Sequence, residues 1–291
     1  MGNERSTLTR SLAESNIRNM NKLSVAKRAW ILFVFCAAGP IAAPGQTFTT
    51  LLSFEAADGL AVSMVAHSVQ APSLAVGGFN SVRGGEESIE TNTGLQNLIT
   101  AQFPGTTFSG ARKLTPQYLS TISHLIIGVG TSCCTGTKLS VAEQHALVDF
   151  VVAGGTALLF GDNDSSNEIA RQANRSFMAP FGLSMTGTLV AEQPSTIVNS
   201  SNPVVTGPAG TATGFDTNYP GWFSRLGSAT KIAVLTANNK PSLAFLPPGA
   251  LGTGSGAVVF FSDANCIQVG SGGINSANDN ILILNSLALQ P

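Results

Sequence analysis

Asp162, Asn163 and Asp164 form one polar knot directly after an apolar run, and Asp263 and Asn265 form a second after another. Asn80 closes a third apolar stretch at Gly77-Gly-Phe-Asn80. Carboxylates and amides gathered in this way can hold a hydroxyl-rich ligand or a hard cation through oxygen. Two carboxylates in unlike environments can also divide acid and base work in a hydrolysis. The same residue types cap helices and close turns, which is their commonest structural use. What decides between these roles is whether the fold brings the knots together.

The elements that must position them are legible. His124-Leu-Ile-Ile-Gly-Val-Gly130 is a short apolar run closed by glycines, the pattern of a strand buried on both faces. Ser140-Val-Ala-Glu143 is a capping box, so a helix starts there. Leu147, Phe150 and Val151 fall on one face of that helix, and Gly154-Gly155 supplies its left-handed stop. Thr156-Ala-Leu-Leu-Phe160 is a second buried strand, opening onto Gly161-Asp-Asn-Asp164. Two strands joined by a helix form a βαβ unit, so their sheet is parallel. In such sheets ligands sit at the carboxyl ends of the strands. The expected site is therefore Asn80, Asp162, Asn163, Asp164, Asp263 and Asn265 on that edge.

Outside this unit the pattern predicts a strand at Ser73–Val76, a glycine-rich acidic loop from Arg83 to Glu90, and a helix carrying Leu95, Leu98, Ile99 and Phe103 on one face. An edge strand follows at Thr106–Phe108, then a short helix at Thr115–Leu119 with proline at its first position. Ser165-Ser-Asn-Glu168 is a second capping box. Residues 185–248 are rich in Ser, Thr, Asn, Gly and Pro, and read as a β-rich excursion that is not an independent domain. Gly254–Phe261 ends in a further buried strand, and a helix from about Asn278 closes the pattern. The fold class is α/β, a three-layer sandwich with a mostly parallel central sheet of the flavodoxin-like or amidotransferase-like kind.

Of 291 residues, 43% are hydrophobic and only 11% charged, enough apolar material for a substantial core. Lys and Arg number 15 against 16 Asp and Glu. Residues 1–45 hold six of the basic residues and two of the acids, leaving 9 basic and 14 acidic residues, a balance of −5, for the remainder. A mildly acidic domain does not attract phosphate backbones, which excludes nucleic acid as partner. The basic cluster precedes Ala29-Trp-Ile-Leu-Phe-Val-Phe-Cys-Ala-Ala38, an apolar run too short for a comfortable span, and small residues at Ala43-Pro-Gly45 resemble a cleavage site. Residues 1–45 thus read as an N-terminal extension and signal peptide, 46–72 as a linker or lone strand, and 73–291 as the α/β domain. The expected location is extracytoplasmic, with no stable membrane span after cleavage near Gly45.

Loss of Cys36 with the signal leaves Cys133, Cys134 and Cys266, an odd number that in an oxidising compartment implies one disulfide and one spare thiol. The carboxyl-edge geometry places Cys266 near the adjacent pair, with Cys134–Cys266 slightly favoured over Cys133–Cys266. The three histidines, His67, His124 and His145, give no metal-ligand spacing, so no metal is expected. Gly128-Val-Gly-Thr-Ser-Cys133 lacks the third glycine of a dinucleotide fingerprint, and the helix opens too late to receive a pyrophosphate. Neither a Gly-x-Ser-x-Gly elbow nor a phosphate-binding Gly-x-x-x-x-Gly-Lys loop occurs, so no cofactor is expected.

Ser123–Gly130, then Leu139-Ser-x-x-Glu143 leading into Phe150-Val-Val-Ala-Gly-Gly-Thr-Ala-Leu-Leu-Phe-Gly-Asp162, resembles the class I glutamine-amidotransferase-like superfamily. Met178–Leu183, Asn202–Gly207 and Gly256–Asp263 continue the likeness over roughly residues 73–289, in the order of the non-catalytic branch. That branch includes gliding-motility and ABC-transport auxiliary proteins and the intraflagellar-transport GIFT domain. The resemblance implies a nucleophilic cysteine after the strand matching Thr156–Phe160 in active members. Here Gly161-Asp162-Asn163 stands in its place, and the late His-x-Glu pair is missing. The reading that follows is an exported, non-enzymatic binding or scaffold domain that holds a polar ligand, a glycan or an envelope protein. Its rival is an extracytoplasmic hydrolase using carboxylates at the sheet's carboxyl edge; a third reading is a purely structural module of a larger envelope assembly.

Overall fold

A computed structural model describes residues 73–129, 137–164, 168–268 and 276–289, all within one compact unit. The expected extension and signal (1–45), the segment 46–72, Cys133, Cys134 and the serines of the second capping box lie outside the described residues. The first strand, β1, is Ala75–Phe79, followed by a short helix α1 at Ser81–Gly84 and a 3-10 turn at Gly85–Glu87. Helix α2 (Thr93–Gln102), strand β2 (Thr107–Ala111) and helix α3 (Pro116–Leu119) come next. The central unit is β3 (His124–Gly128), α4 (Val141–Val152) and β4 (Thr156–Phe160), with α5 (Glu168–Met178) after it. Nine strands follow, β5 (Ser184–Thr186), β6 (Glu192–Ile197), β7 (Thr206–Gly207), β8 (Gly210–Thr211), β9 (Gly214–Asn218), β10 (Trp222–Arg225), β11 (Thr230–Leu235), β12 (Pro241–Leu246) and β13 (Val258–Phe261). Helix α6 (Ala277–Leu287) is the last described element.

Nine strands form one sheet in the order β2-β1-β3-β4-β13-β12-β11-β6-β9. The pairs from β2 to β13 are parallel, and those from β13 to β9 are antiparallel. Period-two alternation sends Ile126, Leu158, Phe160, Val259 and Phe261 to one face, where Leu95 and Ile99 of α2 and Leu282, Ile283 and Leu287 of α6 cover them. It sends Leu125, Ile127, Leu159, Val258 and Phe260 to the other, under Leu147, Phe150 and Val151 of α4 and Phe177 of α5. This is the expected three-layer α/β sandwich, and the β-rich region is built into it: β6, β9, β11 and β12 extend the same sheet. Burying a large aliphatic or aromatic side chain of this kind contributes about 1.5–3 kcal/mol. Among the described residues no helix is long and apolar enough to cross a membrane.

The capping box of α4 is present in both directions, with Ser140 Oγ accepting from the Glu143 amide and the Glu143 carboxylate accepting from the Ser140 amide at 2.9 Å. Two expectations need correction. Strand β1 begins later than Ser73 and, instead of stopping at Val76, runs on through Gly77 and Gly78 to Phe79. A Cβ on Gly78 would lie 2.4 Å from the carbonyl oxygen of Ile126, and one on Gly77 would lie 2.6 Å from the Tyr118 hydroxyl. The glycines mark close packing within the sheet, not a stop. The glycine-rich acidic segment from Arg83 to Glu90, expected as a loop, is largely helical. Asn80 caps it, with Oδ1 accepting from the Arg83 amide at 3.1 Å. Arg83 itself is buried, 4.1 Å above the Phe79 ring, and paired with Glu143.

Candidate functional site

The carboxyl edge is organised by the register of β4 and β13. Phe160 pairs with Phe261, and their rings stack at 4.3 Å. Two residues further along each chain come Asp162 and Asp263, which are 1% and 0% exposed. The main chain of Asp162 is clamped by Asn174 of α5: the Asp162 amide donates to Asn174 Oδ1 at 3.0 Å, and Asn174 Nδ2 donates to the Asp162 carbonyl at 2.6 Å. Asp162 Oδ1 accepts from the amide and side-chain nitrogens of Asn163 at 2.6 and 3.1 Å, while Oδ2 has no partner. Asp263 Oδ1 accepts from the Asn265 amide at 2.9 Å, and Oδ2 from the Asn218 amide at the end of β9.

Further acids surround this pair. Glu87, from the 3-10 turn after α1, lies over Gly128 at the end of β3 and accepts from Gln268 Nε2. Asp279, in the first turn of α6, accepts from the Asp216 amide at 3.0 Å through Oδ1, and its Oδ2 has no partner. The Cys266 thiol donates to the Asp263 carbonyl at 2.8 Å. Burial first, and then the neighbouring charges of Asp263 and Glu87, push Asp162 up to about 8 against the opposing bonds from Asn163. Burial likewise lifts Asp263 to about 7 against the amides of Asn265 and Asn218, and lifts Glu87 to about 7. Asp279 reaches about 8, through burial first and then the charges of Asp216 and Asp263. Burial also drives the Cys266 thiol well above its ordinary range.

The six residues expected to converge do so only in part. Asp162 and Asp263 meet at neighbouring strand ends, with Asn163 bonded to Asp162. Asn265 spends its side chain on the Asn218 carbonyl at 3.0 Å. Asp164 ties its loop to the β5 strand and the glycine after it, accepting from Thr186 Oγ1 at 2.9 Å and the Gly187 amide at 2.8 Å. Asn80 caps α1, two strands away from Asp162 in the sheet. Glu87, Gln268 and Asp279 were not anticipated. Glu87 falls in the segment that reads as a glycine-rich acidic loop, and Asp279 at the start of the last helix; the Ser276 cap three residues before Asp279 was the available signal.

Cys266 is a free, buried thiol, so the expected Cys134–Cys266 bond finds no support; its proposed partners lie outside the described residues. His124 is buried, with Nδ1 2.8 Å from Ser123 Oγ, and burial lowers it to about 4 against the opposing Leu287 backbone. Among the described residues no three His, Cys, Asp or Glu side chains are placed to hold a metal ion. A groove of about 500 Å³ opens at the opposite, amino edge of the sheet, between α3 and α4, with Leu119, Ile122, Phe150 and Asp149 in its wall.

No protein-family model matches this chain, and no curated protein does. Solved structures are similar in fold. The mmIFT52 N-terminal domain superposes with a TM-score of 0.52 at 13% identity, over 74% of this chain and 95% of that one. A putative ThuA-like protein from Bacteroides uniformis gives 0.48 at 12% identity, over 77% and 94%. A cold-adapted β-galactosidase from Rahnella sp. R3 gives 0.47 at 11% identity, over 75% of this chain but only 31% of that one. At these identities the likeness is one of architecture, and the chain shares its α/β fold with the mmIFT52 N-terminal domain.

Proposed function

We propose that the chain is an exported, non-catalytic binding or scaffold domain of the amidotransferase-like kind. One observation carries this reading. The place after β4 where the resemblance puts a nucleophilic cysteine holds Asp162, which is 1% exposed, clamped through its main chain by Asn174 and bonded to Asn163. Asp263 is likewise occupied on both oxygens by main-chain amides. Carboxylates used this way hold loops in place, and the loops in turn offer a shaped edge to a polar ligand, a glycan or an envelope protein.

The test pairs a turnover screen with a binding screen on the full chain. Glycosides, esters and glutamine are expected to go unhydrolysed, and calorimetry against a glycan panel is expected to give saturable heat. Turnover that disappears in Asp162→Asn, with melting behaviour retained, would overturn the reading. Export is checked by fractionation and N-terminal sequencing; a chain retained whole in the cytoplasm would remove that part of it.

The hydrolase reading draws on one specific feature. Asp162 Oδ2 has no partner, and the group is raised to about 8 beside a second carboxyl, an arrangement in which one acid keeps its proton while the other ionises. The same turnover screen decides between the two.

A further inference from the structure

Phe160 and Phe261 are directly paired, so the chain ends that carry Asp162 and Asp263 leave the sheet side by side. Both side chains are within 1% of complete burial. Asp263 has two amide donors to stabilise a negative charge, one on each oxygen. Asp162 has donors on Oδ1 alone, and its buried Oδ2 faces no donor at all.

Among the described residues the surroundings offer no counter-charge. From the turn after α1 come Glu87 and, beside it, Glu86; from α6 comes Asp279, with Asp216 of β9 beside it; from the turn after β13 comes the Cys266 thiol. The remaining close partners, Asn163, Asn174, Asn218, Asn265 and Gln268, are neutral amides. Among the described residues the salt bridges are Arg83–Glu143 and Arg171–Glu168, neither of which involves these acids. Two buried carboxylates without a cation would each cost several kcal/mol, and a group so placed neutralises itself instead.

We propose that the Asp162–Asp263 pair is a proton-binding latch: Asp263, with an amide on each oxygen, is the first of the two to ionise, Asp162 keeps its proton on the unpartnered Oδ2, and loss of that last proton drives the ends of β4 and β13 apart. The inference does not depend on what the domain binds. Its sign is fixed. An acid that keeps its proton in the folded chain beyond the pH at which the unfolded chain has lost it contributes stability that is complete at low pH and disappears as pH rises through the folded value. For Asp162 the window runs from about 4 to about 8.

The experiment is thermal and urea unfolding of the full chain between about pH 6.5 and about pH 8, a range in which His124 is neutral whether folded or unfolded for most of the span. Wild type is expected to lose stability steadily. Asp162→Asn, which reproduces the neutral acid, is expected to lower the slope by one proton, about a tenfold smaller change in the folding constant per pH unit. A second measurement is infrared: the difference spectrum of wild type minus Asp162→Asn at neutral pH should show a protonated-carboxyl C=O band that titrates away toward about pH 8–9 together with the loss of stability. Stability that is flat or rises over this range, an unchanged slope in folded Asp162→Asn, or no protonated-carboxyl band in that difference spectrum would each overturn the latch.

Discussion

Arg83 and Glu143, sixty positions apart, are joined in a buried ion pair that ties the first helical turn after β1 to the N-terminus of α4. The guanidinium also donates to the carbonyls of Arg112 at 3.0 Å and Lys138 at 2.9 Å, and Glu143 accepts from the Leu114 amide at 3.0 Å. Burial raises the Glu143 carboxyl, but the bonds from Arg83, Ser140 and Leu114 outweigh it and hold the group below its ordinary value. Removing one partner leaves the other charge buried and alone, which costs about 3–5 kcal/mol. Arg83→Met should therefore lower the urea midpoint by that order. Arg83→Lys should rescue little of it, because an ammonium cannot span the carboxylate and two carbonyls at once.

His124 gives the acid side of the stability curve. Its folded value near 4 lies below its ordinary 6.5, so as pH falls through this interval the unfolded chain takes up a proton that the folded chain refuses. The contribution is destabilising on acidification, opposite in sign to that of the buried carboxyls. His124→Gln should steepen the gain in stability between about pH 6 and about pH 4.5 by one proton. Melting curves of the two proteins over that range would show it, and parallel curves would contradict it.

Gly256 precedes β13, where a Cβ would lie 2.2 Å from the Gly155 carbonyl oxygen and 2.7 Å from that of Gly154. Both obstacles are backbone and cannot rotate away. Gly256→Ala should cost about 1–3 kcal/mol or more. At Gly214 the nearest atom would be 3.4 Å away, so Gly214→Ala should cost under about 1 kcal/mol. Similar losses at the two positions would contradict the packing argument.

Asn174 is the hinge pin of the candidate site, because both bonds to the Asp162 main chain come from its amide. Asn174→Ala leaves a buried N–H and C=O without partners and should cost about 1–3 kcal/mol. Asn174→Asp should be worse, since it replaces the donor with a further acid beside Asp162. Differential unfolding of the two variants at neutral pH ranks them.

Cys266 is 1% exposed, and its thiol is raised well above its ordinary range. Native protein should leave it unlabelled by a thiol reagent, and urea should expose it. Mass spectrometry of non-reduced, unfolded protein completes the test: a disulfide linking Cys266 to Cys133 or Cys134 would contradict the free thiol.

The central unit was legible in the sequence because its signals are local. A capping box, a helical face at Leu147, Phe150 and Val151, and two unbroken apolar strands each declare themselves within a dozen residues. The candidate site was half legible, since the rule that ligands meet the carboxyl edge located Asp162 and Asp263 without showing what surrounds them. Glu87 meets Gln268 across 181 positions and Arg83 meets Glu143 across 60. No short window distinguishes such buried charges from solvated ones. Gly77 and Gly78 misled for a related reason: glycine punctuates turns, but it also admits neighbouring chains, and only the assembled sheet separates the two uses.

The middle strand of the nine-stranded sheet is β13, at positions 258–261, late in the order of synthesis. Until it arrives, β4 on one side and β12 on the other each present an unsatisfied row of peptide groups, and the stacked phenylalanines beneath the aspartate pair have not met. A nascent chain that stops short of Val258 thus carries two half-sheets with open, apolar edges, the kind of surface that chaperones cover and aggregates recruit. The keystone is the last of the described strands to be made, so the sheet should close in one cooperative step and not grow outward from its amino-terminal half.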